Sequence, residues 1–174
     1  MRQIIKWNEN WLFAKDTADV TLREGETVSL PHTWNATDGQ DGGNDYFRGT
    51  CLYKKTLRRA DLPVNDRYYL EIRGANSSAD VYANGEKLAH HDGGYSTFRV
   101  DLTDHMKDET EIAVTVDNSP NETVYPQMAD FTFYGGLYRD VNIIAVSEPL
   151  TVTGAILDSV HQQHFTASAV WLSL

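Results

Sequence analysis

The sequence predicts an all-β domain, a sandwich or a barrel. Three observations carry that prediction. Short runs rich in Val, Ile, Thr and Tyr recur along the chain, with turn residues between them. Very little of the chain has the periodicity of an amphipathic helix. The 174 residues are 41% hydrophobic and 23% charged, which suits one domain with a real core but not two full ones.

The elements follow in order. "ETVSLP" (26–31) reads as a strand closed by Pro31, which cannot donate to a ladder. "TCLYKKTL" (50–57) is the next β-type run. "RYYLEIRG" (67–74) alternates, with Tyr68, Leu70 and Ile72 on one face and Tyr69, Glu71 and Arg73 on the other. In "SADVYANGEKLAHH" (78–91), Asn84-Gly85 separates two β-type runs. Both residues tolerate positive φ, so the segment predicts a hairpin with a two-residue type I′ turn. "GGYSTFRVDL" (93–102) follows a glycine pair, and "DLTDHMKDE" (101–109) leaves room for one helical turn. "TEIAVTVDNSP" (110–120) alternates through Ile112, Val114 and Val116. "DVNIIAVSEP" (140–149) is almost continuously apolar, as a strand buried on both faces would be. Residues 1–149 therefore read as one β domain without a repeat or linker. Residues 150–174 differ in character and read either as a packed extra strand or as a foreign or truncated end.

Composition narrows the chemistry. The formal net charge is −10 and no basic stripe is visible, which argues against a nucleic-acid partner. Cys51 is the only cysteine, so no intrachain disulfide can form. The N-terminal "MRQIIKWNENWLFAK" lacks the apolar stretch of a signal peptide, and no segment approaches a membrane span. The expectation is a cytoplasmic protein without a membrane partner. His90 and His91 are adjacent and would face opposite sides of a strand, and His161 and His164 have ligand-like spacing only on a helix. No P-loop, dinucleotide fingerprint or nucleophile elbow occurs. The 25 acidic residues include no local motif that would hold an acid and a nucleophile together. The residues alone give a β-sandwich of undefined task.

The order of motifs adds to this. "LPHTWN" (30–35), "YFRGTCLYKKTL" (46–57), "GANSSADVYANGEKLAHHDGGYSTFRVDLTDHM" (74–106), "EIAVTVDNSP" (111–120) and "DFTFYGGLYRDVNI" (130–143) succeed one another. Together they resemble the N-terminal sugar-binding domain of glycoside hydrolase family 2, most closely its β-galactosidases, with β-glucuronidases and β-mannosidases nearby. The resemblance covers about residues 5–147. It implies a jelly-roll-like β-sandwich of the galactose-binding-domain type at the start of a longer parent. An immunoglobulin-like domain and a TIM barrel normally follow, and the barrel carries the catalytic glutamates. The implication is no catalytic residue in this chain and no activity from it alone.

The resemblance also assigns candidate site residues. Asp130 falls where the family places an acid that reaches the sugar and, in β-galactosidases, helps to bind sodium. A carboxylate suits both tasks, as an acceptor for sugar hydroxyls and as a hard oxygen ligand. Its plainer alternative is a turn cap or a partner for an arginine. The loop before "RGTCLYKKTL" approaches substrate through an Asn in the family, which points to Asn44, with Asp45 beside it; the plainer alternative is a turn residue. Phe131, Phe133 and Tyr138 would anchor this stretch, Gly135-Gly136 would let it bend, and Arg139-Asp140 would fix it as an ion pair or backbone clamp. His32 and Trp34 would pack at the sandwich edge. No cofactor is implied in this chain, and sodium or magnesium in the full-length enzyme. The implied partners are a carbohydrate (a β-galactoside or a relative) and the missing domains, with an oligomer left open. Two alternatives stand beside this reading: an independent carbohydrate-binding module, and a purely structural or interaction domain.

Overall fold

The computed structural model describes residues 2–36, 38, 47–121, 124 and 134–147. They form ten strands: β1 (Arg2–Lys6), β2 (Trp11–Ala14), β3 (Glu26–Val28), β4 (Thr50–Arg58), β5 (Arg67–Ile72), β6 (Ser78–Ala83), β7 (Glu86–Asp92), β8 (Phe98–Asp101), β9 (Glu109–Asp117) and β10 (Val141–Val146). Single 3-10 turns lie at Arg59–Asp61 and Thr103–His105. One sheet has four strands in the order β1-β10-β5-β8, and the other six in the order β3-β2-β4-β9-β6-β7. The named strand pairs are all antiparallel. The all-β sandwich expected from the sequence is the fold observed.

Side-chain alternation builds the core between the sheets. Tyr68, Leu70 and Ile72 of β5 and Val141, Ile143 and Ala145 of β10 point inward from the smaller sheet. Cys51, Tyr53, Val81, Ile112, Val114 and Val116 meet them from the larger one. Trp11, Tyr53, Tyr68 and Leu70 are essentially sealed from solvent. Fully burying a Leu, Ile or Val side chain is worth about 1.5–3 kcal/mol. Cys51 is buried in this core, and burial pushes its thiol up to about 11, which leaves it inert.

The hairpin forms as its turn chemistry requires: Asn84 has φ 51° and Gly85 φ 85°, joining β6 to β7. β10 is buried on both faces, with Asn142 and Ile144 covered on the side away from the core. Other boundaries differ from the sequence reading. β3 stops at Val28, because the chain then leaves the sheet: the Leu30 N–H donates to the Asn8 carbonyl and the His32 N–H to the Leu137 carbonyl. β8 covers only Phe98–Asp101 of its predicted run. β1 and β2 were not foreseen. Glu71 faces away from the core as the alternation predicts, yet it is buried, held by Arg99 at 2.7 Å and by Asn142 Nδ2 at 3.1 Å. Among the described residues no helix is long and apolar enough to cross a membrane. Residues 150–174 lie outside the described residues, and so do His161 and His164.

Candidate functional site

The segment Tyr134–Asp140 leads into β10 and is fixed by steric necessity at its two glycines. A Cβ on Gly135 would fall inside the indole ring of Trp34. Gly136 has φ 130°, a conformation side chains disfavour, and its Cβ would meet the His32 carbonyl oxygen. The bend foreseen at this glycine pair is therefore present. Gly136 bridges Asn76 across the backbone, with N–H to O distances of 3.1 and 3.4 Å. Asn76 Nδ2 also donates to the Tyr134 carbonyl at 2.6 Å.

Two buried asparagines tie this segment to the rest of the edge. Asn35 and Asn118 are both sealed from solvent. Asn35 Oδ1 accepts from the Gly135 N–H at 2.7 Å and from Asn118 Nδ2 at 3.2 Å. Asn35 Nδ2 donates to the Phe47 carbonyl at 2.8 Å and to the Asp38 carboxylate. Asn118 Oδ1 accepts from the Gly49 N–H at 2.9 Å, and Arg48 Nε donates to the Asn118 carbonyl at 2.8 Å. Asp38 closes the circuit by accepting from the Phe47 N–H at 3.1 Å. A buried amide with every polar atom engaged holds its partners rigidly, because breaking one bond strands a desolvated group.

This network gathers chain ends that are far apart in sequence. Asp38 and Phe47 flank the stretch that contains Asn44 and Asp45, and Tyr134 follows the stretch that contains Asp130. Asn44, Asp45 and Asp130 themselves lie outside the described residues, as do Phe131 and Phe133. Asp38 and Phe47, on either side of the first stretch, and Gly135, just past the second, all bond to Asn35. Sequence reasoning missed Asn35, Asn76 and Asn118, although "LPHTWN", "GANSS" and "VDNSP" contain one each. An asparagine in a loop carries no local sign of a distant partner.

The remaining side chains of the segment anchor it. The Tyr138 hydroxyl donates to the Gly94 carbonyl. Arg139 Nη1 donates to the Tyr95 carbonyl at 3.0 Å and the Arg73 carbonyl at 3.4 Å. Asp140 points elsewhere, accepting from Asn8 Nδ2 at 2.7 Å and facing Lys6 Nζ at 3.4 Å. The Asn8 hydrogen bond, aided by Lys6, holds its carboxyl below the usual range. Of the two arrangements open for Arg139-Asp140, the backbone clamp is the one present. His32 and Trp34 pack as expected. His32 Nδ1 lies 2.8 Å from the Tyr53 hydroxyl, and burial pushes the imidazole pKa down. Trp34 stacks on Phe13 at 6.2 Å between ring centroids.

Elsewhere, His90 and His91 do face opposite sides of β7. His90 sits against Asp80 and Asp92, while His91 stacks on Phe98 at 4.2 Å and meets Ser96. Among the described residues no group of three or more His, Cys, Asp or Glu side chains could hold a metal ion. Among the described residues, the edge is thus a hydrogen-bonded rim that ties Asp38, Phe47, Asn118 and Gly135 to Asn35.

The chain is similar to known proteins over most of its length. The chain is 38% identical to a beta-glucuronidase of Bacteroides fragilis over 151 residues, 84% of this chain and 21% of that protein. It is 27% identical to a beta-galactosidase of Thermoanaerobacter pseudethanolicus over 183 aligned positions, 96% of this chain and 25% of that one. The crystal structure of an FMN-binding beta-glucuronidase from Facaelibacterium prausnitzii L2-6 matches with a TM-score of 0.75 and 44% identity, over 84% of this chain and 23% of that chain. The chain thus spans about a fifth to a quarter of the length of these relatives. Residues 45–134, just over half of the chain, match the glycosyl hydrolase 2 galactose-binding domain-like family, and the chain belongs to that family.

Proposed function

We propose that this domain forms one wall of the sugar pocket of a β-glycosidase and leaves the chemistry to a catalytic barrel outside these 174 residues. The convergence at Asn35 of Asp38 and Phe47, which bracket the Asn44 stretch, and of Gly135, which follows the Asp130 stretch, supports this reading. Two loops held at one point can present an amide and a carboxylate to the same saccharide. Each would hydrogen-bond sugar hydroxyls, and Asp130 would also be an oxygen donor to a sodium ion completed by other parts of the enzyme. A β-glucuronide is the first substrate to test, since the beta-glucuronidases compared align at 38% and 44% identity against 27% for the beta-galactosidase. A β-galactoside is the second.

The test is to assay the purified chain with nitrophenyl β-glucuronide and nitrophenyl β-galactoside. No turnover of either is expected, because the family resemblance places the catalytic glutamates in the barrel rather than in this domain. Turnover above the buffer rate would overturn the assignment of this domain as non-catalytic.

A further inference from the structure

The outer face of the six-stranded sheet, opposite the core, carries a groove that the rim does not use. Loop residues Val20 and Leu22 cover part of this face by packing on Leu52 and Ala113, and Lys54 Nζ donates to their carbonyls at 2.6 and 3.0 Å. Beyond that loop the face is open and forms a groove of about 630 Å³. Its lining includes Asp80, Tyr82, His90, Asp92, Thr115 and Asp117. Strand register explains the grouping: Thr115 on β9 pairs with Asp80 on β6, which pairs with His90 on β7.

Thr115 is the informative residue. It is 6% exposed, and its hydroxyl has no hydrogen-bond partner among the described residues. A buried hydroxyl without a partner is costly, and valine would fill the same space on a strand at no such cost. The carboxylates around it are held by internal donors. Asp117 accepts from the Thr50 hydroxyl at 2.5 Å and the Ser119 N–H at 2.6 Å. Asp80 faces Lys87 Nζ at 2.8 Å and His90 Nδ1 at 2.5 Å. Asp92 accepts from the Ser78 hydroxyl at 2.6 Å. Each carboxylate oxygen can accept more than one hydrogen bond, so acceptor capacity remains on a wall that is already ordered.

We propose that this groove binds a neutral saccharide. The wall is rich in acceptors, which calls for a ligand presenting several hydroxyl donors, and the Tyr82 ring offers a surface for a sugar's C–H face. Three carboxylates disfavour an anionic sugar. The volume lies within the range of small-ligand sites, about 300–1,000 Å³. The groove shares no residue with the Asn35 network, so the proposal stands or falls separately from the rim reading.

The experiment is calorimetric and NMR titration of the chain with lactose, cellobiose and glucuronate, on wild type, Thr115→Val and Thr115→Ser. Millimolar binding of a neutral disaccharide is expected, with shifts at Thr115, Asp80 and Tyr82. Thr115→Val should weaken it by about five- to tenfold, and Thr115→Ser should restore it. Glucuronate should bind more weakly. The proposal is overturned if neither disaccharide shifts groove resonances, if Thr115→Val binds like wild type, or if glucuronate binds the groove as well as the neutral sugars. Rim resonances (134–138) report on the other reading and do not enter this comparison.

Discussion

Asn35 Oδ1 accepts a hydrogen bond from the Gly135 N–H at 2.7 Å, although 100 positions separate the two residues. That contact joins the loop after β3 to the segment before β10. It makes the edge of the sandwich a single rigid unit rather than a set of independent loops.

Replacing Asn35 should therefore cost more than an ordinary loop substitution. Asn35→Ala removes bonds to the Phe47 carbonyl, Gly135 N–H, Asn118 and Asp38 at a site closed to water. A loss of about 3 kcal/mol is expected, since several buried groups are left without partners. Urea unfolding followed by tryptophan fluorescence measures it. A loss below about 0.5 kcal/mol, typical of a surface change, would mean the network is not holding the edge.

Gly135→Ala places a methyl group into the Trp34 ring, so its cost should depend on that ring. About 2 kcal/mol is expected in the wild-type background, in the range of overpacking. The same substitution in Trp34→Ala should cost clearly less, and a double-mutant cycle measures the coupling. Equal costs in both backgrounds would mean that a contact other than the Trp34 ring sets the cost.

Much of this was legible in the sequence, for physical reasons that differ by element. The β6–β7 hairpin was legible because Asn84 and Gly85 encode the turn locally. β5 and β9 were legible because one face of each meets the core, which writes alternation into the residues. β1 and β2 were not recognised. β1 is an edge strand with little burial, and it is fixed by pairing with β10 near the other end of the domain. The alternation placed Glu71 on the face away from Leu70, but its burial was not legible because Arg99 and Asn142, which allow it, are 28 and 71 positions away. The rim was half legible: the glycine bend was foreseen and the backbone clamp was one of two arrangements open for Arg139-Asp140, whereas Asn35 and Asn118 were not foreseen, since their partners are distant.

His90 gives the domain a pH signature. Its hydrogen bond to Asp80, with help from Asp92, raises its pKa in the folded state. A raised histidine pKa contributes stability that is fully present below the unfolded value of about 6.5 and is lost as pH rises through the folded value. Thermal melts of wild type and His90→Asn should therefore differ most in weakly acidic buffer and converge at higher pH. The carboxyl pKa values of Asp80 and Asp92 are lowered, so their share is present above about pH 4 and is lost as pH falls through their folded values. A wild-type advantage that grows with rising pH would contradict the assignment of His90 as the protonated partner.

Core and surface should separate sharply. Leu70 is fully buried between the sheets, and Val64 is 92% exposed. Leu70→Ala should destabilise by about 2–5 kcal/mol through cavity formation, and Val64→Ala by less than about 0.5 kcal/mol. Chemical denaturation of both variants checks the pair. Comparable losses would place the core elsewhere.

In the function proposed, the edge tied together by Asn35 faces a sugar. The most direct measurement is amide NMR of the chain titrated with glucuronate and galactose, repeated on Asp130→Ala. Millimolar-range shifts are expected at residues 134–138 in the wild type, reduced in the variant, with no tighter binding at this edge. Unshifted rim amides at saturating sugar, or shifts identical in Asp130→Ala, would contradict the account.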